Sequence, residues 1–499
     1  MQNLNESLQA KYPHLEIAIL PLSQVNKDNE SKRIDSEYFK KEYLENEQII
    51  GKFECKTLEQ LSARITNGHT PYGENLQENE VKFITAEFID DFLINEVKKF
   101  ISFESHLNYL KRSILKNGDI IFSIKGKVGN AVPIFDIKEP LNINQDVAKI
   151  SLKADINHFY VSTFLNSKYG KKQTEAQATG QINPFIALGV LRNLKIPLFP
   201  KPFQLEIEKL VKQSHEALED SKKLYKEAQE LLYKELELDF KNPLKSLLKS
   251  SLQAKKPSEL AIINDISKKY PHLNISVCPL SKSLHKSGRL DSEYYQSKYD
   301  LMETKIKDYK GGYCKLQDIG FFTNGSFIPE NLYTQHAKRA YIRIKELSFN
   351  APIRIQECIY IDDNFEATNE TMVKQNDFVI ATIGNTIGKI NLIPKELNGS
   401  FISNNTSRFR LTDTSIIPEF LELLLRNFVV QEQIQREFTQ TAQPKISNTS
   451  LENILIPKIA TATQEQIALK IQKSFTLRAK SKDLLQNAKM RLENAIENG

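Results

Sequence analysis

The sequence predicts an α+β protein in which two tandem mixed α/β domains are separated by two long helices forming an antiparallel coiled coil. Three features carry that expectation. The chain of 499 residues repeats itself once. Each copy holds short β-rich runs punctuated by Gly, Asn and Pro. Each also closes on a proline-bearing exit into a stretch rich in Glu, Lys, Leu, Gln and Ala, with apolar residues every seven positions. Such a length exceeds what one core can serve and suits two or three domains.

The duplication decides the fold, since each copy is one structural unit. Lys11-Tyr12-Pro13-His14-Leu15 returns as Lys269-Tyr270-Pro271-His272-Leu273, and the match continues to Ser23 and Ser281. The register then runs through each half. Arg33-Ile34-Asp35-Ser36-Glu37-Tyr38 answers Arg289-Leu290-Asp291-Ser292-Glu293-Tyr294, and Thr66-Asn67-Gly68 answers Thr323-Asn324-Gly325. The run Asn117-Gly118-Asp119-Ile120-Ile121-Phe122-Ser123, followed by Gly126 and Gly129, answers Gln375 to Ala381 followed by Gly384 and Gly388. Between these anchors the halves diverge, most across Pro71 to Arg112 and Pro329 to Thr371. A shared scaffold with unlike inserts suggests related modules that read different things.

The elements follow in chain order. Strands are expected at Val81–Ile84, Ile120–Ile124 and Ala148–Leu152, with partners at Tyr341–Ile344, Phe378–Thr382 and Ser407–Leu411. The exit Ile196-Pro197 opens a helix from Gln204 to about Phe240, roughly 55 Å long at about 1.5 Å per residue. Its apolar stripe is Leu210/Val211, Ala217/Leu218, Leu224/Tyr225 and Leu231/Leu232. Asn242-Pro243 is expected to end it, leading into a Lys- and Ser-rich connector. The exit Ile456-Pro457 opens the second helix, striped by Ile467, Ile471, Leu477, Leu484/Leu485, Ala488, Leu492 and Ala495/Ile496. The expected segments are thus a first domain over 1–200, a central helix over 201–245, a connector over 246–262, a second domain over 263–459 and a distal helix over 460–499.

Composition narrows the function classes. Lys plus Arg number 68 against 62 for Asp plus Glu, a net charge of +6 that permits a polyanionic partner without requiring one. Cys55, Cys278, Cys314 and Cys358 form no Cys-x-x-Cys pair with a completing His, so no metal site is expected and the thiols read as reduced. Met1 to Lys11 is polar, and no apolar run approaches the length that crosses a bilayer, which points to a cytoplasmic protein with no membrane partner.

The sequence lacks the catalytic motifs that would suit such a chain. No Gly-x-x-x-x-Gly-Lys-Ser/Thr loop cradles a triphosphate. Asn183-Pro184-Phe185 only partly matches the Asn-Pro-Pro-Phe/Tyr tetrapeptide of amino-methyltransferases, and no glycine-rich cofactor loop precedes it. His14 and His272 recur beside Pro at turns, with no acidic or Cys neighbour at a useful spacing. Asp35 with Glu37, and Asp291 with Glu293, read as helix capping or surface ion pairing rather than metal ligation. The chain is therefore expected to be non-enzymatic.

Three elements, in order and duplicated, carry a resemblance. They are Thr66-Asn67-Gly68-His69-Thr70-Pro71, the Gly118 to Ser123 run with its following glycines, and the Ile196-Pro197 exit into a helix bearing Gln204 and Ile207. The second copy has Thr323-Asn324-Gly325 through Pro329, Asn376-Asp377-Phe378-Val379, and Ile456-Pro457 with Gln464, Gln466 and Ile467. Together they resemble the specificity (S) subunit of a type I restriction-modification system, a bacterial defence complex. The resemblance implies two target-recognition domains on an antiparallel helix pair, with double-stranded DNA as ligand. It also implies methyltransferase (M) subunits docked on the helices and a restriction/translocase (R) subunit as further partner. No cofactor is implied in this subunit; S-adenosylmethionine, ATP and Mg belong to the partner subunits. The long opening of each copy, Lys11 to Glu54 and Lys269 to Cys314, departs from that plan. It leaves open a type IIB-like specificity subunit, beside a tandem protein-binding scaffold.

Two readers on one spacer favour a split target, because seating the first raises the effective concentration of the second. Unlike inserts imply unlike half-sites and so an asymmetric sequence. Asn, Gln, Arg and Lys on loops read base edges, while Lys, Ser and Thr hold phosphates. The DNA-binding candidates in the first domain are Asn67, Lys125, Lys127, Asn130, Gln145, Gln177, Gln181 and Asn183. Those in the second are Asn324, Asn385, Lys389, Asn404, Asn405, Arg408, Gln443 and Lys445. Half of this set is expected on one DNA-facing surface.

Overall fold

The computed structural model describes residues 2–26, 32–73, 76, 80–180, 182–252, 269, 289, 291–335, 337–365, 372–438 and 443–499. The chain divides into two compact units, one of residues 1–218 with 479–499 and the other of residues 219–478. The opening of the second repeat, with His272 and Cys278, lies outside the described residues, as does Gln181.

The first unit holds β1 (Cys55–Thr57), β2 (Ser62–Asn67), β3 (Val81–Ile84), β4 (Ile89–Asp90), β5 (Leu93–Ile94) and β6 (Phe100–Ile101), then β7 (Asp119–Ser123), β8 (Ala131–Pro133), β9 (Leu141–Ile143), β10 (Val147–Leu152) and β11 (Lys195–Pro197). Its central sheet runs β2-β10-β7-β8, all antiparallel. A second sheet, β6-β3-β9, pairs β3 with β9 in parallel, and β1 with β11 closes the domain base. The apolar run of β7 reflects burial on both faces. Ile120 and Phe122 face the main core with Phe159, Phe164 and Leu191, while Ile121 faces a smaller cluster with Ile84, Val132 and Ile143.

The second unit repeats this plan with β12 (Tyr313–Lys315), β13 (Gly320–Asn324), β14 (Tyr333–Thr334), β15 (Arg339–Ile342), β16 (Ile359–Ile361) and β17 (Phe378–Ala381), then β18 (Ile390–Leu392), β19 (Phe401–Ile402), β20 (Thr406–Leu411) and β21 (Leu455–Pro457). Its central order β13-β20-β17-β18 matches the first unit strand for strand, and β15 pairs with β19 in parallel as β3 does with β9. Phe378 and Ile380 enter the main core, whereas Val379 and Ala381 enter the insert side.

Each core is roofed by a pair of short helices; three of the four starts are fixed by side-chain caps and the fourth, at Pro418, by a proline in the first turn. Asn157 accepts from the backbone of Phe159 and Tyr160 ahead of His158–Asn166, and Ser167 accepts from Gly170 ahead of Lys168–Gln177. In the second unit Pro418–Leu425 is followed by Phe428–Glu437, where Asn427 accepts from Val429.

The long helices are Lys201–Glu235 and Thr461–Glu497, and each unit contains an antiparallel stretch of both. In the first unit Ser214 Oγ donates to the Ser481 carbonyl at 2.8 Å, and Arg491 pairs with Glu206 at 3.1 Å. In the second, Ser474 Oγ donates to the Ser221 carbonyl at 2.8 Å, and Lys470 pairs with Glu227 at 2.5 Å. The buried stripe of the central helix is Ile207, Val211, Ser214, Ala217, Leu218, Ser221, Ala228 and Leu232, so Leu210, Leu224 and Leu231 stand only half-buried beside it. A stripe drawn from apolar residues alone misses the serines, which hydrogen-bond across the seam.

The central helix stops at Glu235, short of the expected Phe240. Leu238 N bonds back to the Tyr233 carbonyl and Glu237 adopts φ 54°, a left-handed helix end made without glycine. Burial of Leu236 and Leu238 in the second core drives the reversal. Asn242-Pro243 does not end the helix. Pro243 opens a new one, Pro243–Leu252, which replaces the start of the expected connector; residues 253–262 lie outside the described residues. Among the described residues no helix is long and apolar enough to cross a membrane.

Candidate nucleic-acid interface

Three connections meet at one end of each central sheet, because β2 and β7 end where β10 begins. The Asn67-Gly68 turn is drawn onto the β9–β10 connection: Gly68 N bonds the Asn144 carbonyl at 3.1 Å, Asn67 Nδ2 the Gln145 carbonyl at 3.2 Å, and Thr70 Oγ1 the Gln145 Oε1 at 2.6 Å. The approach is so close that a Cβ on Gly68 would lie 1.7 Å from the Ile143 carbonyl oxygen, which only glycine allows. After β7, Ile124 N bonds the Asp146 carbonyl, Gly126 N the Pro184 carbonyl and Ile186 N the Ile124 carbonyl, each at 3.0 Å. The segment after the helix Lys168–Gln177 is thereby sewn into the same rim.

The second unit builds the same rim from different side chains. Gly325 N bonds the Thr406 carbonyl at 3.0 Å, and a Cβ there would lie 2.1 Å from the Ser403 carbonyl oxygen. Thr382 N bonds the Asn405 carbonyl, Gly384 N the Pro444 carbonyl and Ile446 N the Thr382 carbonyl, at 3.0, 2.9 and 3.0 Å. The isolated bridges correspond as well, Lys125 with Phe185 in one unit and Ile383 with Lys445 in the other.

Within the first unit Asn67, Lys125, Gln145 and Asn183 share this rim, and Lys125 lies 3.9 Å from Asp146. Within the second, Asn324, Asn385, Asn404, Asn405, Gln443 and Lys445 do so, all exposed except the half-buried Asn405. Asn324 Oδ1 accepts from Ser407 Oγ at 3.1 Å and Asn448 Nδ2 at 2.9 Å, which fixes its amide. The rims also expose apolar side chains, Ile182 and Phe185 in the first unit and Phe327 in the second. Exposed amides, ammonium groups and flat apolar faces form a surface able to contact base edges and phosphates.

Several candidates stand elsewhere. Lys127 is exposed, but its ammonium is held 3.0 Å from Asp90. Asn130 is turned inward, donating to the Ile89 carbonyl at 3.2 Å and accepting from Lys171 at 2.5 Å. Gln177 donates to the Tyr38 hydroxyl at 2.9 Å. Lys389, the counterpart of Asn130, is half-buried, and burial together with Arg354 lowers its pKa. Arg408 is a correction of a different kind: it is 3 % exposed within β20. Its guanidinium donates to the Met372 carbonyl at 2.8 Å and Thr323 Oγ1 at 2.9 Å. Its counterpart Lys149 is likewise buried, beside Asp119 at 3.2 Å. Both cations tie the sheet to the segment that follows each insert, Arg408 through the Met372 carbonyl and Lys149 through the Ile114 carbonyl. Next to Arg408, Arg410 clasps Asp377 bidentately at 2.8 and 2.6 Å.

One contributor was missed as a positioning group although its motif repeats. Arg33 is held by Asp35 at 2.8 and 2.7 Å and lies over the Tyr38 ring. It donates to the Ala176 and Ala178 carbonyls at 3.1 and 3.0 Å, directly ahead of the rim segment. Arg289 and Asp291 repeat the clasp onto the Arg436 carbonyl at 3.3 Å. The recurring Arg-x-Asp was the available signal. Among the described residues no cluster of three His, Cys, Asp or Glu side chains could hold a metal ion.

Comparison with known proteins gives a consistent set of matches. The model of the family described as type I restriction modification DNA specificity domain matches twice, over residues 50–229 and 309–487. The specificity subunit of the type I restriction enzyme MjaVIII from Methanocaldococcus jannaschii is 33% identical over 101 residues, 19% of this chain and 24% of that protein. The match thus spans about a quarter of that relative's length. A solved type I restriction-modification S subunit from M. genitalium superposes with a TM-score of 0.41 at 13% identity, covering 89% of this chain and 95% of that one. For the HsdS subunit of Thermoanaerobacter tengcongensis the TM-score is 0.28 at 14% identity, covering 89% and 96%.

Proposed function

From the premise that the chain belongs to the type I restriction modification DNA specificity domain family, we propose that it recognises double-stranded DNA sequence-specifically as the specificity subunit of a type I restriction-modification complex. The observation that supports this most is the rim, built twice on one hydrogen-bonded frame but furnished with different side chains. A constant frame sets how a duplex is approached; the variable amides and ammonium groups decide which bases are accepted.

Each unit then reads one short half-site. Lys125, Gln145 and Asn183 face one, and Asn385, Asn404 and Lys445 the other, so the complete target is bipartite and asymmetric. Because both units lie on one chain, seating one raises the local concentration of the other, and discrimination multiplies across the halves. The subunit itself performs no bond-making step. Methyltransferase subunits dock on the paired helices and a restriction/translocase subunit joins for cleavage, with S-adenosylmethionine, ATP and Mg held by those partners in the cytoplasm.

Binding of a target-bearing duplex tests the reading against that of a protein-docking scaffold. Neutralising phosphates releases counterions, so log K should fall steeply and linearly with log salt concentration. A salt-independent association, or none with duplex DNA, would reject the proposal.

A further inference from the structure

The repeat makes each unit a control for the other, and at one place the two differ in a way that exposes a vacancy. In the second unit Arg436 turns its guanidinium into the space under the Arg289–Tyr295 arm. Nε donates to the Tyr294 carbonyl at 3.1 Å, Nη1 to Glu303 Oε1 at 2.6 Å, and Nη2 lies 3.5 Å from Asp300. The cation rests over the rings of Tyr294 and Tyr299, at 4.6 and 5.5 Å.

The register of the first unit is fixed by Ser167 and Asn427 as helix caps and by Pro184 and Pro444 on the rim, and it puts Ala176 where Arg436 stands. Most of the receiving residues persist: Tyr38, Tyr43 and Glu47 occupy the places of Tyr294, Tyr299 and Glu303, while Leu44 takes the place of Asp300, the most distant of the Arg436 partners. With only the Ala176 methyl where the Arg436 guanidinium stands in the other unit, a cavity of about 220 Å³ remains, lined by Ala176, Tyr38, Tyr43, Leu44, Glu47 and Asn46. Asn46 takes the place of Met302. It is 3 % exposed, its Nδ2 donates to the Tyr169 carbonyl, and its Oδ1 has no partner among the described residues. A buried acceptor with no donor calls for an N–H.

Two lysines also border the cavity, and both are already neutralised, Lys172 by Glu42 at 3.3 Å and Lys195 by Glu47 Oε1 at 3.2 Å. One carboxylate can serve two cations here, as Glu303 does with Arg436 on Oε1 and Lys307 on Oε2.

We propose that this cavity is a binding site for a guanidinium group brought from outside the chain, seated between Tyr38, Tyr43 and Glu47 as Arg436 is seated between Tyr294, Tyr299 and Glu303. The group arrives on a small guanidinium compound or on an arginine of a partner polypeptide.

Calorimetric titration of the full chain with ethylguanidinium, a blocked Gly-Arg-Gly peptide and its citrulline counterpart tests this. Saturable binding of a guanidinium probe is expected, at least about tenfold tighter for arginine than for citrulline. A peptide that binds tighter than ethylguanidinium assigns the site to a polypeptide arginine; equal affinities assign it to a small compound. Ala176→Arg should abolish binding by supplying its own guanidinium and should raise the melting temperature. Glu47→Gln, which leaves the cavity volume nearly unchanged, should weaken binding about tenfold. No saturable binding, equal affinity for citrulline, or binding unaffected by both variants would overturn the proposal.

Discussion

Replacing Gly68 by alanine should damage the first rim by an amount the structure allows to be worked out. The new Cβ would lie 1.7 Å from the Ile143 carbonyl oxygen, so one strand end must retreat by about 1.3 Å to restore a tolerable contact. Three hydrogen bonds cross that gap: Gly68 N to Asn144, Asn67 to the Gln145 carbonyl, and Thr70 to the Gln145 side chain. At about 1 kcal/mol each their loss costs about 3 kcal/mol. The lower entropy of the unfolded alanine chain returns about 0.4–1 kcal/mol. A net loss of about 2 kcal/mol lowers the melting temperature of a unit this size by roughly 4–8 °C. Gly189→Ala is the control, since a Cβ there meets nothing within 4 Å and Gly189 lies in the helix Leu188–Arg192. It should be neutral or slightly stabilising. Scanning calorimetry gives the stabilities, and binding to duplexes with one half-site scrambled at a time gives the reading. Gly68→Ala should lose discrimination at the first half-site alone. A melting temperature equal to that of the Gly189→Ala chain, with both half-sites still read, would refute the reasoning.

Ser474→Ala removes a buried pair of bonds and strands Ser221 Oγ, so it should cost about 1–2 kcal/mol in urea unfolding, whereas adding Ser221→Ala should cost nothing more; additive losses would contradict the hydrogen-bonded seam. Arg33→Met should weaken discrimination at the first half-site while leaving the second intact, as read by the same scrambled duplexes. The Arg33 bond holds the Asp35 carboxyl below its ordinary 3.8, so this contribution is complete above that pH and fades only as pH falls through the lowered value; the Arg33→Met chain should lack that acid-dependent step in an unfolding series. Lys125→Gln and Lys445→Gln should each flatten the salt slope of binding by about one phosphate contact, and an unchanged slope for both would remove them from the interface.

The duplication was legible because it is written as residue identity, and the central strands because burial on both faces leaves unbroken apolar runs such as Ile120-Ile121-Phe122. Gly68 and Gly325 were legible as anchors, although only the fold shows that a neighbouring carbonyl excludes a Cβ there. The inserts were harder to read: β4, β5, β6 and β14 are two residues long, too short for any alternation to appear. The helix seam was half legible, since Ser214, Ser221, Ser474 and Ser481 look polar in sequence yet are buried by pairing with each other. The end of the central helix depended on Leu236 and Leu238 entering a core assembled by distant strands. Arg408 misled for a related reason: a long cation in a strand reads as a ligand donor, and only the Met372 carbonyl, just past the insert, shows what it serves.

The central claim is that two like frames with unlike side chains read two half-sites. Selection of bound duplexes from a randomised pool by the full chain, sequenced to give the preferred motif, tests it most directly. The account predicts two short, different specified blocks around a gap of fixed length and indifferent sequence, with Gln145→Ala altering one block and Asn404→Ala only the other. A single continuous block, or both blocks changed by either variant, would contradict it.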